Sequence, residues 1–316
     1  MKVRDGDGSV LLKDSTMREG QDVPGVVLDR DQKRALLRKL AEVGIREVEL
    51  VAPGHFDADL EFVKEWGAEE SRIRSSGLVY GNGPDWREQI VKAKGVLGRI
   101  DILTPLSDAR PPAARSDKAR RMREALRAAI DTLGDAGVGF PHATQVELRF
   151  LLEMCDEAVR AGAKRITLYD TNGSSDPWAV AGLVEKVREV AEIGICFHAH
   201  NDLGMATANS IAAVRAGARC LDVTVNGLGD RAGNASLEQV ALVLHVMGVG
   251  HGLRLPMLRD LSQAVESMTL VPVSKLAPVV GEFVFRHKSP SHLASPALFE
   301  AFEPALVGAV RSVCEE

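Results

Sequence analysis

The chain has 316 residues, a formal net charge of −5 and the apolar content of an ordinary globular protein, which is length enough for two ordinary domains or for one α/β barrel of ~250 residues. With no long basic run and only short apolar segments broken by Gly, Pro or charge, nucleic acid and membrane are poor candidates for a main partner. The opening "MKVRDGDGSV" has no apolar signal core, and Cys155, Cys196, Cys220 and Cys314 form no C-x-x-C pair. Both features predict a cytoplasmic protein with inert thiols rather than a disulfide framework or a thiolate zinc site.

In chain order the sequence alternates short β-branched runs with amphipathic ones. The strand candidates are "VLLKDST", "REVELV", "RIRSSGLVY", "RIDILTPLS", "GVGF", "RITLYDT", "IGICFHAH" and "CLDVTVNGLG". Between them lie helical patterns such as "DRDQKRALLRKLAEVG", "SDKARRMREALRAAIDTLGDAG", "QVELRFLLEMCDEAVRAGA", "DPWAVAGLVEKVREVAE" and "MATANSIAAVRAGA", several closed by a Gly in the C-cap position. Alternation of this kind predicts parallel pairing with right-handed crossovers. Eight units are what a closed (β/α)8 TIM barrel needs, and no G-x-G-x-x-G follows the first strand to favour an open doubly wound sheet. The expected layout is a barrel over residues 1–250 and a short post-barrel extension over 251–316. The basic run "RSDKARRMREALR" reads as a solvated helix face with i,i+4 pairs.

A barrel places its chemistry at the C-terminal ends of the strands and in the loops after them. The polar residues fall there: Glu19 after strand one, Asp170 and Thr171 at the end of strand six, His198 and His200 at the end of strand seven, and Asn226, Asp230, Arg231 and Asn234 after strand eight. His198 and His200 are two apart on a strand, so they share a face about 6–7 Å apart along it. Two such imidazoles can share a divalent ion, and Glu19 from the neighbouring strand would complete a two-His, one-carboxylate set with open positions. The other reading of the pair is two hydrogen-bonded histidines packed at a strand end. His55, His245 and His251 read as surface or capping residues.

"DSTMREG" followed by "PGV", "FHAHNDLGMATAN" and "NGLGDRAGNASLEQV" resemble the isopropylmalate synthase and homocitrate synthase family, which groups with hydroxymethylglutaryl-CoA lyase among metal-dependent TIM barrels. The resemblance continues into "PVVGEFVFRHKSPSHLASPALFEAFEPALVG", and "GDRAGN" resembles the synthase branch rather than the lyases, which carry a cysteine loop there. It implies that Glu19, His198 and His200 bind a divalent metal (Mg, Mn or Zn), with Asn234 reaching it directly or through water. It implies that Arg18 stabilises developing negative charge, that Thr171 binds a carboxylate of a 2-oxo acid, and that His292 enters the active site of a neighbouring subunit as part of the proton-transfer apparatus. The implied protein is a homodimer using acetyl-CoA, in which Gly227, Gly229 and Gly233 keep the eighth loop close to the metal.

The implied reaction is a Claisen condensation of an acyl-CoA with a 2-oxo acid, giving a 2-substituted malate-type acid. Three departures qualify it. Asp22 stands where the family's R-[DE]-G-x-Q motif has Gln; the strand-five Glu and Arg fall on Pro141 and Gln145 by ungapped counting; and the later subdomain and regulatory domain do not follow "LVGAVRSVCEE". Leucine feedback through that domain is therefore not expected. Alternatives that stay open are a metal-dependent C–C lyase or aldolase, and a partial subunit that needs a separate C-terminal-domain partner chain. Asp22 is the residue expected to replace the missing strand-five carboxylate as an acid–base group, or else to select against a dicarboxylic substrate.

Overall fold

The computed structural model of the protein describes residues 9–67, 72–106 and 112–313. Eight parallel strands close into a barrel in sequence order, β1 pairing with both β2 and β8. They are β1 (Leu11–Asp14), β2 (Glu47–Val51), β3 (Arg74–Tyr80), β4 (Arg99–Leu103), β5 (Ala136–Phe140), β6 (Arg165–Asp170), β7 (Gly194–Ala199) and β8 (Cys220–Val223). Each predicted strand is present. The outer layer comprises α2 (Arg30–Val43), α3 (Phe56–Trp66), α4 (Trp86–Lys92), α5 (Pro112–Leu133), α6 (Leu148–Arg160), α7 (Pro177–Val190), α8 (Ala206–Ala216) and α9 (Leu237–Val246), and a single turn, α1 (Thr16–Gly20), follows β1. α3 and α4 are not among the helical patterns singled out above; α4 is only seven residues long and buries only Ile90, too short for a 3.6-residue period to show.

Local signals explain the boundaries. α2 opens on a capping box, Asp29 accepting from the Gln32 amide while the Gln32 side chain accepts from the Asp29 amide, and it closes on Gly44 at φ 108°, a left-handed cap that suits glycine. The buried Leu36, Leu37 and Leu40 of α2 and Phe150, Leu151 and Met154 of α6 turn their stripes inward. The basic face of α5 is solvated and paired, Arg121 with Asp117 at 2.7 Å and Arg120 with Glu124 at 2.8 Å, both i,i+4.

The apolar core lies between strands and helices, and the barrel lumen is ionic. Val48 and Leu50 of β2 are buried in the apolar cluster, while Glu47 and Glu49 face the lumen and meet Arg165 at 2.6 Å and Lys13 at 2.5 Å. Arg165 also meets Asp101 at 3.1 Å, and Arg99 meets Asp101 at 2.9 Å and Asp135 at 2.7 Å. The usual filling of such a barrel is layers of branched apolar side chains; here the lower layers are charge pairs.

After α9, α10 (Leu258–Thr269) packs on α2 and on the turn after β8. The remaining described chain carries a two-residue pairing of β9 (Arg286–His287) with β10 (Ser312–Val313), a further α-helical turn, α11 (Pro290–Ala294), and 3-10 turns at Pro296–Leu298 and Pro304–Val307. Cys155, Cys196 and Cys220 are buried free thiols, and Cys314 lies outside the described residues.

Candidate active site

β1 delivers the chain into α1, where Arg18 and Glu19 turn back over the lumen. Arg18 Nη1 lies 2.5 Å from Glu19 Oε1, and its Nε donates to Glu49 Oε1 at 2.8 Å. Glu19 is 1% exposed. Burial opposes its charge, but the Arg18 guanidinium and then His198 hold the carboxyl well below the usual carboxylate range. Glu19 therefore reaches the site as an anion with its cation beside it.

β7 supplies the imidazoles. His198 Nε2 lies 3.4 Å from His200 Nε2, 3.3 Å from Glu19 Oε1 and 3.1 Å from Asn234 Nδ2. Four groups converge on one point, and one ligand atom from each of Glu19, His198 and His200 lies within 4.8 Å of the others. On its other nitrogen, His198 Nδ1 is 3.0 Å from Asp222 Oδ2. A carboxylate there fixes the tautomer with the proton on Nδ1 and leaves the Nε2 lone pair for a metal. Asp222 is itself held by Lys13 at 3.1 Å; burial opposes its charge, and Lys13, with His198, keeps it well below the usual range. Burial and the neighbouring His198 pull His200 down to about 4, so it offers a neutral ring.

Asn234 Oδ1 is buried without a hydrogen-bond partner while its amide nitrogen faces His198. Rotating the amide half a turn would present that oxygen to a cation instead, since the two orientations differ only in which atom is placed where. The loop geometry brings Asn234 in: a Cβ on Gly229 would lie 1.8 Å from Asn234 Oδ1, and one on Gly233, at φ +84°, would lie 2.0 Å from the Gly227 carbonyl oxygen. Any larger residue at either position would push the loop off the cluster. Two imidazoles, one carboxylate and one amide oxygen are a donor set that fits a catalytic divalent cation.

Other expected residues sort differently. Thr171 Oγ1 accepts from the His142 amide at 2.8 Å, which leaves its hydroxyl proton free to donate at the mouth. Asp22 is exposed just beyond α1, and partial desolvation, then Glu19, raises its carboxyl above the ordinary value. His292 stacks on Phe299, with ring centroids 3.8 Å apart, and meets His287 edge-on at 5.6 Å; neither contact joins it to the metal cluster. Asn226 turns away from the mouth, its amide hydrogen-bonding Glu238 and its side chain pairing with Ser262 of α10. Arg231 pairs with Asp202 at 2.8 Å and donates to the Thr171 carbonyl at 2.7 Å, on the rim. Of the strand-eight loop residues, Asn234 is the one that reaches the histidines. Gln145 is a surface bridge between loops, bonded to Ser174 and Asn172.

Lys13, Glu49, Asp222 and Tyr169 are site residues that motif reasoning did not find. Their signal was present as charged or polar residues at alternate positions in otherwise apolar strands, a pattern that marks a polar lumen once a barrel is assumed.

Residues 9–265 match the HMGL-like family. The chain is 35% identical over 315 residues to the 2-isopropylmalate synthase of Sulfolobus acidocaldarius, covering 96% of this chain and 81% of that one. It is 33% identical over 313 residues to homocitrate synthase 1 of a Nostoc species, covering 95% and 81%. A Methanopyrus kandleri protein provisionally named (R)-citramalate synthase is 34% identical over 317 residues, covering 96% of this chain and 61% of its own length. Among solved structures, the HMG-CoA lyase of Bacillus subtilis matches with a TM-score of 0.72 at 19% identity, covering 84% and 95% of the two chains. The carboxyl transferase domain of Rhizobium etli pyruvate carboxylase matches with a TM-score of 0.71 at 20% identity, covering 83% and 48%. These two likenesses show the shared barrel. No described helix is long and apolar enough to cross a membrane. The chain belongs to the HMGL-like family, alongside the synthases named for 2-isopropylmalate and homocitrate.

Proposed function

We propose that this chain condenses an acyl-CoA, acetyl-CoA in the first instance, with a 2-oxo acid at a divalent metal held by Glu19, His198, His200 and Asn234. The observation that carries the reading is the convergence of those four groups on one point beside a partly buried arginine, Arg18. When bound, the metal supplies Lewis acidity toward the oxygens of the 2-oxo acid. The chain's own residues do the rest. Arg18, whose Nη2 is buried without a partner, donates to the oxygen on which charge develops, in a site dry enough for that hydrogen bond to be strong. Thr171 donates its free hydroxyl proton to the substrate carboxylate. Asp22, with its pKa raised, serves as the acid–base group that the lumen face of β5 lacks: a Cβ at Gly137 would meet Asp101, one at Gly139 would meet Leu103 and Tyr169, and Pro141 lies past the strand end. His292 completes the site of a second copy in a homodimer.

The test is release of free CoA thiol by the purified protein with Mg²⁺ or Mn²⁺, acetyl-CoA and a panel of 2-oxo acids. Thiol release that depends on one 2-oxo acid, with a matching malate-type product, is the expected result. Cleavage of such a product without the forward reaction would assign the chain to lyase chemistry. Activity only after a separate C-terminal chain is added would make it a partial subunit.

A further inference from the structure

Tyr169 stands on β6 in register with His198 of β7, so both side chains enter the lumen at the same level. Their ring centroids are 4.7 Å apart. The tyrosine is 6% exposed and its hydroxyl has no hydrogen-bond partner. A buried phenol left without a partner is costly compared with a satisfied one. Small hydroxyls such as Thr167 and Thr224 are also partnerless in the barrel wall, but a threonine can swing toward a nearby carbonyl. A phenol goes where its ring points, and this ring is packed with Leu78 and Leu103 in a cluster separate from the main core.

The strand beside it has been emptied to admit it. A Cβ at Gly139 would lie 2.9 Å from Tyr169 Cε2, 2.9 Å from Leu103 Cδ2 and 3.5 Å from the phenol oxygen. The charged groups that act on the phenol are Glu49, Lys13, Asp222 and Arg18, which are the residues that orient His198 and Glu19. The phenol ring thus lies beside His198, which is 3.3 Å from Glu19, and Glu19 is in turn held by Arg18, whose Nη2 also lacks a partner.

Building on the condensation reading, we propose that the Tyr169 hydroxyl is a substrate-binding donor, hydrogen-bonding an oxygen of the 2-oxo acid opposite Arg18. Two unpaired donors that flank the same His198–Glu19 pair, a guanidinium N–H and a phenol O–H, are complementary to a small oxyanion. Tyr169 then fixes the orientation of the 2-oxo acid, and Gly139 is required because any side chain there would displace the ring.

The test uses Tyr169→Phe and the chain's scarcity of tyrosine, which occurs only as Tyr80 and Tyr169. In the metal-free protein the variant should melt at the same temperature as the parent or higher, since it removes an unsatisfied hydroxyl. With Mg²⁺ bound, calorimetric titration with pyruvate, 2-oxobutanoate, 2-oxoisovalerate and 2-oxoglutarate should show the best ligand of the parent bound about tenfold or more weakly by the variant, at unchanged metal content. In protein labelled with 3-fluorotyrosine, that ligand should move the ¹⁹F resonance missing from the variant and leave the exposed Tyr80 resonance in place. Equal affinity in the two proteins, or an unmoved Tyr169 resonance, overturns the proposal while leaving the condensation reading intact. If the parent binds none of the four acids, the condensation reading fails and this proposal falls with it.

Discussion

The lumen holds two sets of buried polar residues that differ in how their groups are paired. In the lower layer, Arg165 joins Glu47 and Asp101, and Arg99 joins Asp101 and Asp135, so each of these carboxylates meets an arginine. In the upper cup, Arg18 Nη2, the Tyr169 hydroxyl, His200 Nδ1 and Asn234 Oδ1 are all buried and unpartnered. Burial is common to both, and so are unpartnered nitrogens, since Arg165 Nε and Arg99 Nη2 also lack a hydrogen-bond partner; what sets the lower layer apart is that all of its groups are charged and ion-paired. The lower set is structural because its charges cancel one another, and the upper set is a site because its donors and acceptors await something else.

The difference predicts opposite responses to mutation. Glu19→Ala and His198→Ala should lose the bound metal and about 10³-fold or more of activity, yet remain folded. Arg18 keeps Glu49 as a partner and Asp222 keeps Lys13, so neither change strands a buried charge. Metal analysis and far-UV circular dichroism check the two halves; full metal occupancy in both variants would refute the assignment. Arg165→Met should do the reverse, costing about 3–5 kcal/mol of stability because Glu47 loses its arginine. Urea unfolding measures it, and Glu47→Gln in the same chain should recover part of the loss. A stable Arg165→Met protein would mean that the lower layer is not held by its charges.

Asp22 sharpens the boundary of the cup. If it is the acid–base group, Asp22→Asn should lower kcat about 10²-fold with metal retained. If it instead repels dicarboxylic substrates, kcat should hold and preference should shift toward 2-oxoglutarate. Unchanged turnover and range would make it a bystander.

Much of this was legible in the residues. The eight strands and the "FHAH" pair follow from periodicity, and Glu19 and Asn234 from their loop positions and motif. The ionic lumen was harder to read, because "REVELV" and "RIDIL" suit a half-exposed strand as well as an inverted one with charges inside. What decides between them is barrel closure, a property of all eight strands together. Asn226 shows the converse: its position after β8 suggests the mouth, but φ 60° and the Ser262 contact turn it toward α10, which sequence spacing cannot convey. Tyr169 was invisible as a site residue because its signal is an absence on another strand, the missing side chain of Gly139.

Asp14 tests the comparison at its weakest point, because it is buried yet belongs to neither set. Its carboxylate accepts from the Thr16 amide at 3.0 Å and the Thr16 hydroxyl at 2.7 Å, and Glu238 is the charge nearest in influence. Burial first, and that like charge after it, push its pKa up to about 7 against the Thr16 hydrogen bonds. An unfolded chain ionises this aspartate near pH 4, whereas the folded one keeps the proton until about pH 7. Between those values the native state binds more protons, so the contribution of Asp14 to stability falls as pH rises and levels off above pH 7. Asp14→Asn removes the titration while keeping one acceptor for Thr16. Relative to the parent, the variant should gain on the order of 1–3 kcal/mol between pH 4.5 and pH 8, read as the change in urea-unfolding free energy at each pH. A parent–variant difference that does not depend on pH would show that Asp14 is ionised in the fold and has a charge partner after all.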